Sequence, residues 1–282
     1  MTLSPILLLA IALLILLGLL FYWLIFISEG AYLGRGAVRR LYDVGASSYD
    51  GVKQYDGLSE ATMLANPIFS RLEESSGPTA TLLDVATGTA RLPVALFHLP
   101  FYEGELVGLD LSRQMLQQAA RKTRDFADRI TLIHHPAVPL PFDNEAFDGV
   151  ACLEALEFMP DRRAALREMV RVLKTGGWLF VSNRTGSDTH FFPGRVDSDQ
   201  AFERLLAELG LTEIDTRPWQ SYYHLVFARK GTAPQTAPSM GWQRAFRCLN
   251  CGTSGQMARQ GNGMQCAHCA HAMPVADGGV GV

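Results

Sequence analysis

The chain begins without charge: no charged side chain occurs between Leu3 and Ile27. No Lys or Arg precedes this run and no clear A-x-A site follows it, which argues against a cleaved signal peptide. Cysteine is scarce through the body of the chain. Cys152 stands alone, and Cys248, Cys251, Cys266 and Cys269 are packed into a short tail. Their CxxC pairing points to metal and a reducing compartment, not to a disulfide framework. Positive charge is not in excess either. The 25 Lys and Arg against 28 Asp and Glu leave a net charge of -3, which removes any general electrostatic case for binding nucleic acid. There is no internal repeat and no long low-complexity tract, so the 282 residues point to one α/β domain with appendages.

The uncharged run is long enough to cross a membrane, since about 20 apolar residues span the hydrocarbon core as a helix. Tyr22 and Trp23 near its end suit the interfacial aromatic belt. Residues 3–27 are therefore expected to form one transmembrane helix. Arg35, Arg39 and Arg40 follow it, so the positive-inside rule places the bulk of the protein on the cytoplasmic side, as a single-pass membrane protein. Residues 28–79 read as a linker and a helical lid with two Tyr-Asp pairs, Tyr42-Asp43 and Tyr49-Asp50.

From Thr81 strand and helix alternate, which predicts a parallel sheet covered on both faces. Strands are expected at Thr81–Val85, Glu105–Leu109, Ile130–His134, Phe147–Leu153 and Trp178–Ser182. Helices are expected at about Arg91–His98, Ser112–Thr123 and Arg162–Leu173, with Lys174-Thr175-Gly176-Gly177 as the basic last turn and glycine stop of the third. A further helix, Asp199–Leu209, precedes strands at Thr212–Arg217 and Tyr222–Arg229. Residues 231–240, with Pro234 and Pro238, read as a linker to a small module at 241–276.

The segment Thr81–Ala90 is a buried strand, an acid at Asp84, then a small-residue turn into a helix. Small residues let the backbone approach a ligand, and a helix N-terminus favours polar or negative groups. The next acid, Asp110, ends the second strand, where a carboxylate binds ribose hydroxyls. These two features suit a nicotinamide dinucleotide as well as a methyl donor.

Three later segments separate the two. Ala137–Asp143 followed by Glu145–Val150 looks like the LPF…FD segment of class I S-adenosylmethionine-dependent methyltransferases. Leu153–Asp161 resembles that family's loop after the fourth strand. Arg167–Gly177 is similar to its LxPGG signature, with Thr175 in place of proline. Thr81–Ala90 then resembles motif I, commonly D-x-G-x-G-x-G, with Gly88 kept and Ala86 and Ala90 at the other glycine positions. The resemblance covers residues 80–230 and is strongest to quinone and lipid methyltransferases. It implies a Rossmann-like seven-stranded sheet and S-adenosyl-L-methionine as cofactor. Carried over by position, Asp84, Ala86 and Gly88 meet the methionine end and Asp110 the ribose. Leu111 and Met115 flank the adenine, Ala137 meets it through backbone, and Leu153 lies at the sulfonium edge. Where the family often has an acid for the adenine amino group this chain has Pro136.

No general base stands out, and no catalytic residue is assigned. His134-His135 reads as a surface or core pair. His190, Phe191 and Phe192, in the insertion Asn183–Arg195, are candidates to contact an apolar acceptor. A membrane anchor favours a small, lipid-like or quinone-like acceptor, because tethering raises effective concentration at the surface. In the tail, Cys248, Cys251, Cys266 and Cys269 have the spacing of a zinc ribbon, a closed tetrahedral Zn²⁺ site that is structural and supplies folding energy. His268 and His271 are not needed as ligands. The ribbon is expected to pack on the domain or to dock a protein partner. The alternative reading is a methyltransferase fold without turnover that presents the ribbon to such a partner.

Overall fold

The computed structural model describes residues 4–53, 55–231, 242–260 and 263–276. Leu3 of the expected anchor, residues 232–240 of the expected linker, and Gly241 lie outside the described residues.

Helix α1 (Pro5–Tyr22) starts where Ser4 Oγ accepts the Leu7 N–H, with proline in its first turn, where its missing donor costs nothing. The helix is continued by a wider turn over Trp23–Ile27. Together they form a stretch of 23 residues with a mean hydropathy of 2.9 and none of its hydrophobic window buried, long and apolar enough to cross a membrane. Next come α2 (Arg35–Gly45), α3 (Tyr49–Lys53), α4 (Gly57–Glu60) and α5 (Asn66–Ser76). Ile68, Phe69 and Leu72 of α5 are buried, which seats this helix on the sheet.

The sheet contains β1 (Leu82–Val85), β2 (Leu106–Asp110), β3 (Ile130–His134), β4 (Phe147–Cys152), β5 (Leu173–Arg184), β6 (Leu211–Gln220) and β7 (Tyr223–Lys230). Its order is β6-β7-β5-β4-β1-β2-β3. Helices α6 (Arg91–Phe97), α7 (Arg113–Lys122), α8 (Arg162–Val172) and α9 (Asp199–Glu208) connect the strands. Strands β1 to β5 are parallel, but β7 runs antiparallel to both β5 and β6. The sheet is therefore mixed, not wholly parallel as the alternation suggested. The cause is local: β6 and β7 follow each other with a short turn and no crossover helix.

The strand after α8 also differs. It begins at Leu173, so Lys174–Gly177 lies inside β5 and does not cap a helix. Lys174 is buried and pairs with Asp148 at 2.7 Å. A Cβ on Gly177 would meet Asp148 O at 2.5 Å, so its glycine is required by close strand approach.

The tail is joined to the domain. Helix α10 (Trp242–Ala245) leads to the hairpin β8 (Met257–Gln260) and β9 (Gly263–Cys266), then β10 (Ala272–Ala276). β10 pairs antiparallel with the free edge of β3, through Val275↔Ile133 and Ala276↔Leu132. This covers an edge that would otherwise present unpaired backbone groups. Trp242, Phe246, Cys248 and Cys266 are buried in the same hydrophobic cluster as Phe142 and Phe147.

Candidate active site

The strand order reverses at β1, which lies between β2 and β4. Ligands of open α/β sheets bind outside the carboxyl ends of strands at such a switch point. Here a cavity of about 360 Å³ opens there, and α2 and the 153–161 loop complete its wall.

The turn after β1 is tightly wound. Ala86, Gly88 and Ala90 have φ of +59°, +55° and +64°, so all three adopt the left-handed conformation that favours glycine. Thr87 Oγ1 donates to Asp84 at 2.7 Å, and the Thr87 N–H reaches Leu109 O. Space for Thr87 comes from β2, since a Cβ on Gly108 would lie 3.0 Å from the Thr87 methyl. Asp84 is buried beneath the turn and does not line the cavity. Burial pushes its carboxyl up to about 7, despite the Thr87 hydroxyl, and the nearby Asp110 raises it further.

Asp110 does line the cavity. One carboxylate oxygen accepts the Gly88 N–H at 2.9 Å and the other the Ser112 N–H at 2.7 Å. Burial raises this carboxyl to about 6, against the pull of those backbone donors. Ala86, Gly88, Leu111, Met115, Ala137 and Leu153 also line the cavity. Of the eight positions expected to hold the cofactor, seven therefore meet around one space, and Asp84 supports the turn from below.

The lid segment closes over this space. Tyr42 and Tyr49 line it, with ring centroids 6.2 Å apart. Asp43 accepts from Ser112 Oγ at 2.6 Å, and Asp50 from Thr89 Oγ1 at 2.6 Å. Glu154 has φ of +51° and sits between Lys53 of α3 and Arg91 of α6. Burial would raise its carboxyl, but the two cations outweigh it and hold the group below the ordinary range. Glu154 thus ties the lid to the domain. Glu157 is buried away from the cavity, paired with Arg184 and Tyr223.

The His134-His135 pair reads from the sequence as surface or core, yet His135 lines the cavity. Its Nδ1 lies 2.8 Å from Pro136 O. That carbonyl can only accept, so Nδ1 carries the proton and Nε2 is left as an acceptor. Burial and, less strongly, His134 and Arg35 hold the imidazole below its ordinary range, against the pull of the Pro136 carbonyl. The available signal was position: one residue past β3, beside a proline with no N–H. His190 lies outside this cavity; Phe192 packs behind it, edge-on to Phe158 at 5.9 Å.

The four tail cysteines form a second centre. Their sulfurs all lie within 4.8 Å of one another, with Cys248–Cys269 at 3.6 Å and Cys251–Cys266 at 3.7 Å. A disulfide needs about 2.05 Å. Tetrahedral Zn–S bonds of about 2.3 Å separate sulfurs by roughly 3.8 Å. The four thiols therefore suit a tetrahedral metal ion, and no histidine joins the cluster among the described residues.

Residues 83–181 match the family described as "Methyltransferase domain". The chain is similar to a demethylmenaquinone methyltransferase of Staphylococcus saprophyticus, 34% identical over 52% of this chain and 62% of that one. One from Bacillus licheniformis is 43% identical over 35% of this chain and 42% of its own. The chain thus spans less than two thirds of the length of these relatives. Among solved structures, an S-adenosylmethionine-dependent methyltransferase from Aquifex aeolicus superposes with a TM-score of 0.51 at 17% identity, over 63% of this chain and 95% of that one. The [4+2]-cyclase SpnF superposes with a TM-score of 0.55 at 18% identity, over 70% and 97%. A protein named for a cyclisation shares the architecture, so the fold alone does not select the reaction.

Proposed function

We propose that this chain is an S-adenosyl-L-methionine-dependent methyltransferase, anchored in a membrane by α1, that methylates a quinone-like acceptor. The observation that carries the reading is the convergence of the motif I turn, Asp110 and Ala137 on one cavity at the switch point. S-adenosylmethionine supplies a sulfonium-activated methyl, so transfer depends on in-line positioning more than on a catalytic base.

The residues present fit that cofactor. Asp110 keeps free lone pairs on both carboxylate oxygens beyond the two backbone donors it holds, and these accept the ribose hydroxyls. Gly88 lies in an open turn where a Cβ would meet nothing within 4 Å, so backbone N–H groups can face the amino-acid end. Leu111 and Met115 flank the adenine. The His135 Nε2 would be available to accept from the adenine amino group, which Pro136 cannot do through a side chain. Leu153, Phe158 and the tyrosines of the lid exclude water from the transfer site.

The similarity to demethylmenaquinone methyltransferases supports a demethylated naphthoquinol as acceptor. The arginines after α1 support a cytoplasmic position for the domain. In the tail the four cysteines would hold Zn²⁺ with a structural role, because four thiolates leave no open coordination position. The packing of the ribbon on its own domain supports that role over recruitment of a separate protein. The test is transfer of labelled methyl from S-adenosylmethionine to demethylmenaquinol by full-length protein in vesicles. Label in the quinol fraction supports the reading; cofactor bound with no label in quinol, lipid or protein would favour a scaffold instead.

A further inference from the structure

A simple tether needs only a flexible linker between membrane and domain. The segment after α1 is different. The Trp23 indole N–H donates to Phe191 O at 3.2 Å, and its ring lies 4.8 Å from that of Tyr32. The Tyr32 hydroxyl donates to Pro193 O at 2.9 Å. Arg195 grips both sides: one guanidinium nitrogen donates to Ala31 O at 2.8 Å and the other to Met159 O at 2.6 Å. Met159 lines the cavity. Ala31 is buried with Phe158 and Phe192, and Phe158 stands edge-on to Tyr42 at 5.9 Å. Glu29 accepts the Tyr42 hydroxyl at 2.8 Å. Two unbroken lines of contact thus run from the last turn of the apolar span to the cavity wall.

The outer side of this segment is apolar. Phe26 is 63% exposed, Leu33 48% and Phe191 47%, a grouping that water disfavours and a bilayer interface accepts. Arg35 and Arg39, at the start of α2, line the cavity on the same side, where anionic headgroups would attract them.

We propose that Trp23–Leu33 is a rigid stem braced against the cavity wall, and that it holds the cavity mouth against the bilayer so that the acceptor's apolar tail enters from the membrane past Phe191 and Phe158. This rests on the reading of α1 as a span and of a tailed quinol as acceptor. The occupant of the Phe26–Leu33–Phe191 surface is the lipid interface itself, continuous with α1. The contacts that hold the stem to the domain all lie after Tyr22, so a spacer placed before Trp23 uncouples the span without removing them.

The experiment uses full-length protein in phosphatidylcholine–phosphatidylglycerol vesicles, with and without a flexible Gly/Ser insertion of about a dozen residues between Tyr22 and Trp23. Two probes are compared: a demethylmenaquinol analogue with a photoreactive group in its first isoprenoid unit, and tailless 1,4-naphthoquinol as a substrate in water. The parent should be labelled within residues 23–42, at Phe158 or at Phe191, and the insertion should cut that labelling at least tenfold while leaving turnover of the tailless quinol unchanged. Labelling elsewhere, no labelling, or labelling indifferent to the insertion would overturn the proposal. Labelling at the stem with no methyl transfer to either quinol would instead refute the methyltransferase reading and leave the membrane-facing mouth intact.

Discussion

Ala86 and Ala90 hold a backbone conformation that an L side chain adopts at a cost of roughly 1–2 kcal/mol. Ala86 faces the cavity and only partly packs on the core, so trimming it gives up little. Ala86→Gly should therefore raise stability by about 0.5–1 kcal/mol after allowing for the greater freedom of glycine in the unfolded chain, read as a rise in Tm. Ala90 is fully buried, so the lost methyl should offset the same relief. Asp84 makes a prediction about pH. A carboxyl raised from its ordinary value of 3.8 to about 7 favours the fold while protonated. That contribution is complete below pH ~4 and is lost as pH rises through about 7. Stability relative to Asp84→Asn should fall across that window, measured by denaturant melts; a flat difference would deny the burial effect. For His135, substitution by Phe should weaken S-adenosylhomocysteine binding about tenfold, the scale of one lost hydrogen bond, while His135→Gln should retain most of it. The residue types at Asp84, Gly88 and Asp110 were legible because strand ends and turn chemistry leave a local pattern. His135 was not, because its tautomer and exposure depend on the Pro136 carbonyl and the cavity beside it.

Elements were legible to within a few residues where hydrophobic period and caps agreed, as in α7, whose Ser112 caps the Met115 N–H. They were misread where a tertiary contact overrides the local signal. Lys174–Gly177 has the composition of a helix stop, yet the buried Lys174–Asp148 pair and the close passage of Gly177 extend β5 through it. The cysteine cluster could be found from its spacing, and packing on the domain was one expectation, but the edge it uses could not be read, because pairing of β10 with β3 joins segments far apart in sequence. That docking has a consequence. The Asp143 N–H donates to Ala245 O at 2.8 Å and the Arg247 N–H to Pro141 O at 2.9 Å, so the ribbon braces the loop that runs on from Ala137. Removing metal with a strong chelator should release the hairpin and lower Tm by several degrees. Cofactor affinity should fall with it. An unchanged melting curve after verified metal loss would show that the module folds without metal.

At the scale of the whole molecule, an apolar helix and a four-cysteine tail both join the α/β domain that holds the cavity. The lid supplies one wall through Tyr42 and Tyr49, and the stem braces it from outside through Glu29, which accepts the Tyr42 hydroxyl. The ribbon braces the adenine side. The proposed membrane attachment and acceptor are both tied to that cavity, so the proposed function depends on the cofactor. Isothermal titration of the full-length protein in detergent, with S-adenosylmethionine and S-adenosylhomocysteine against NAD, addresses it directly. The account predicts saturable micromolar binding of both sulfur ligands, a tenfold or greater loss in Asp110→Asn, and no heat with NAD. Absence of binding by either sulfur ligand at high micromolar concentration, or preference for NAD, would contradict it.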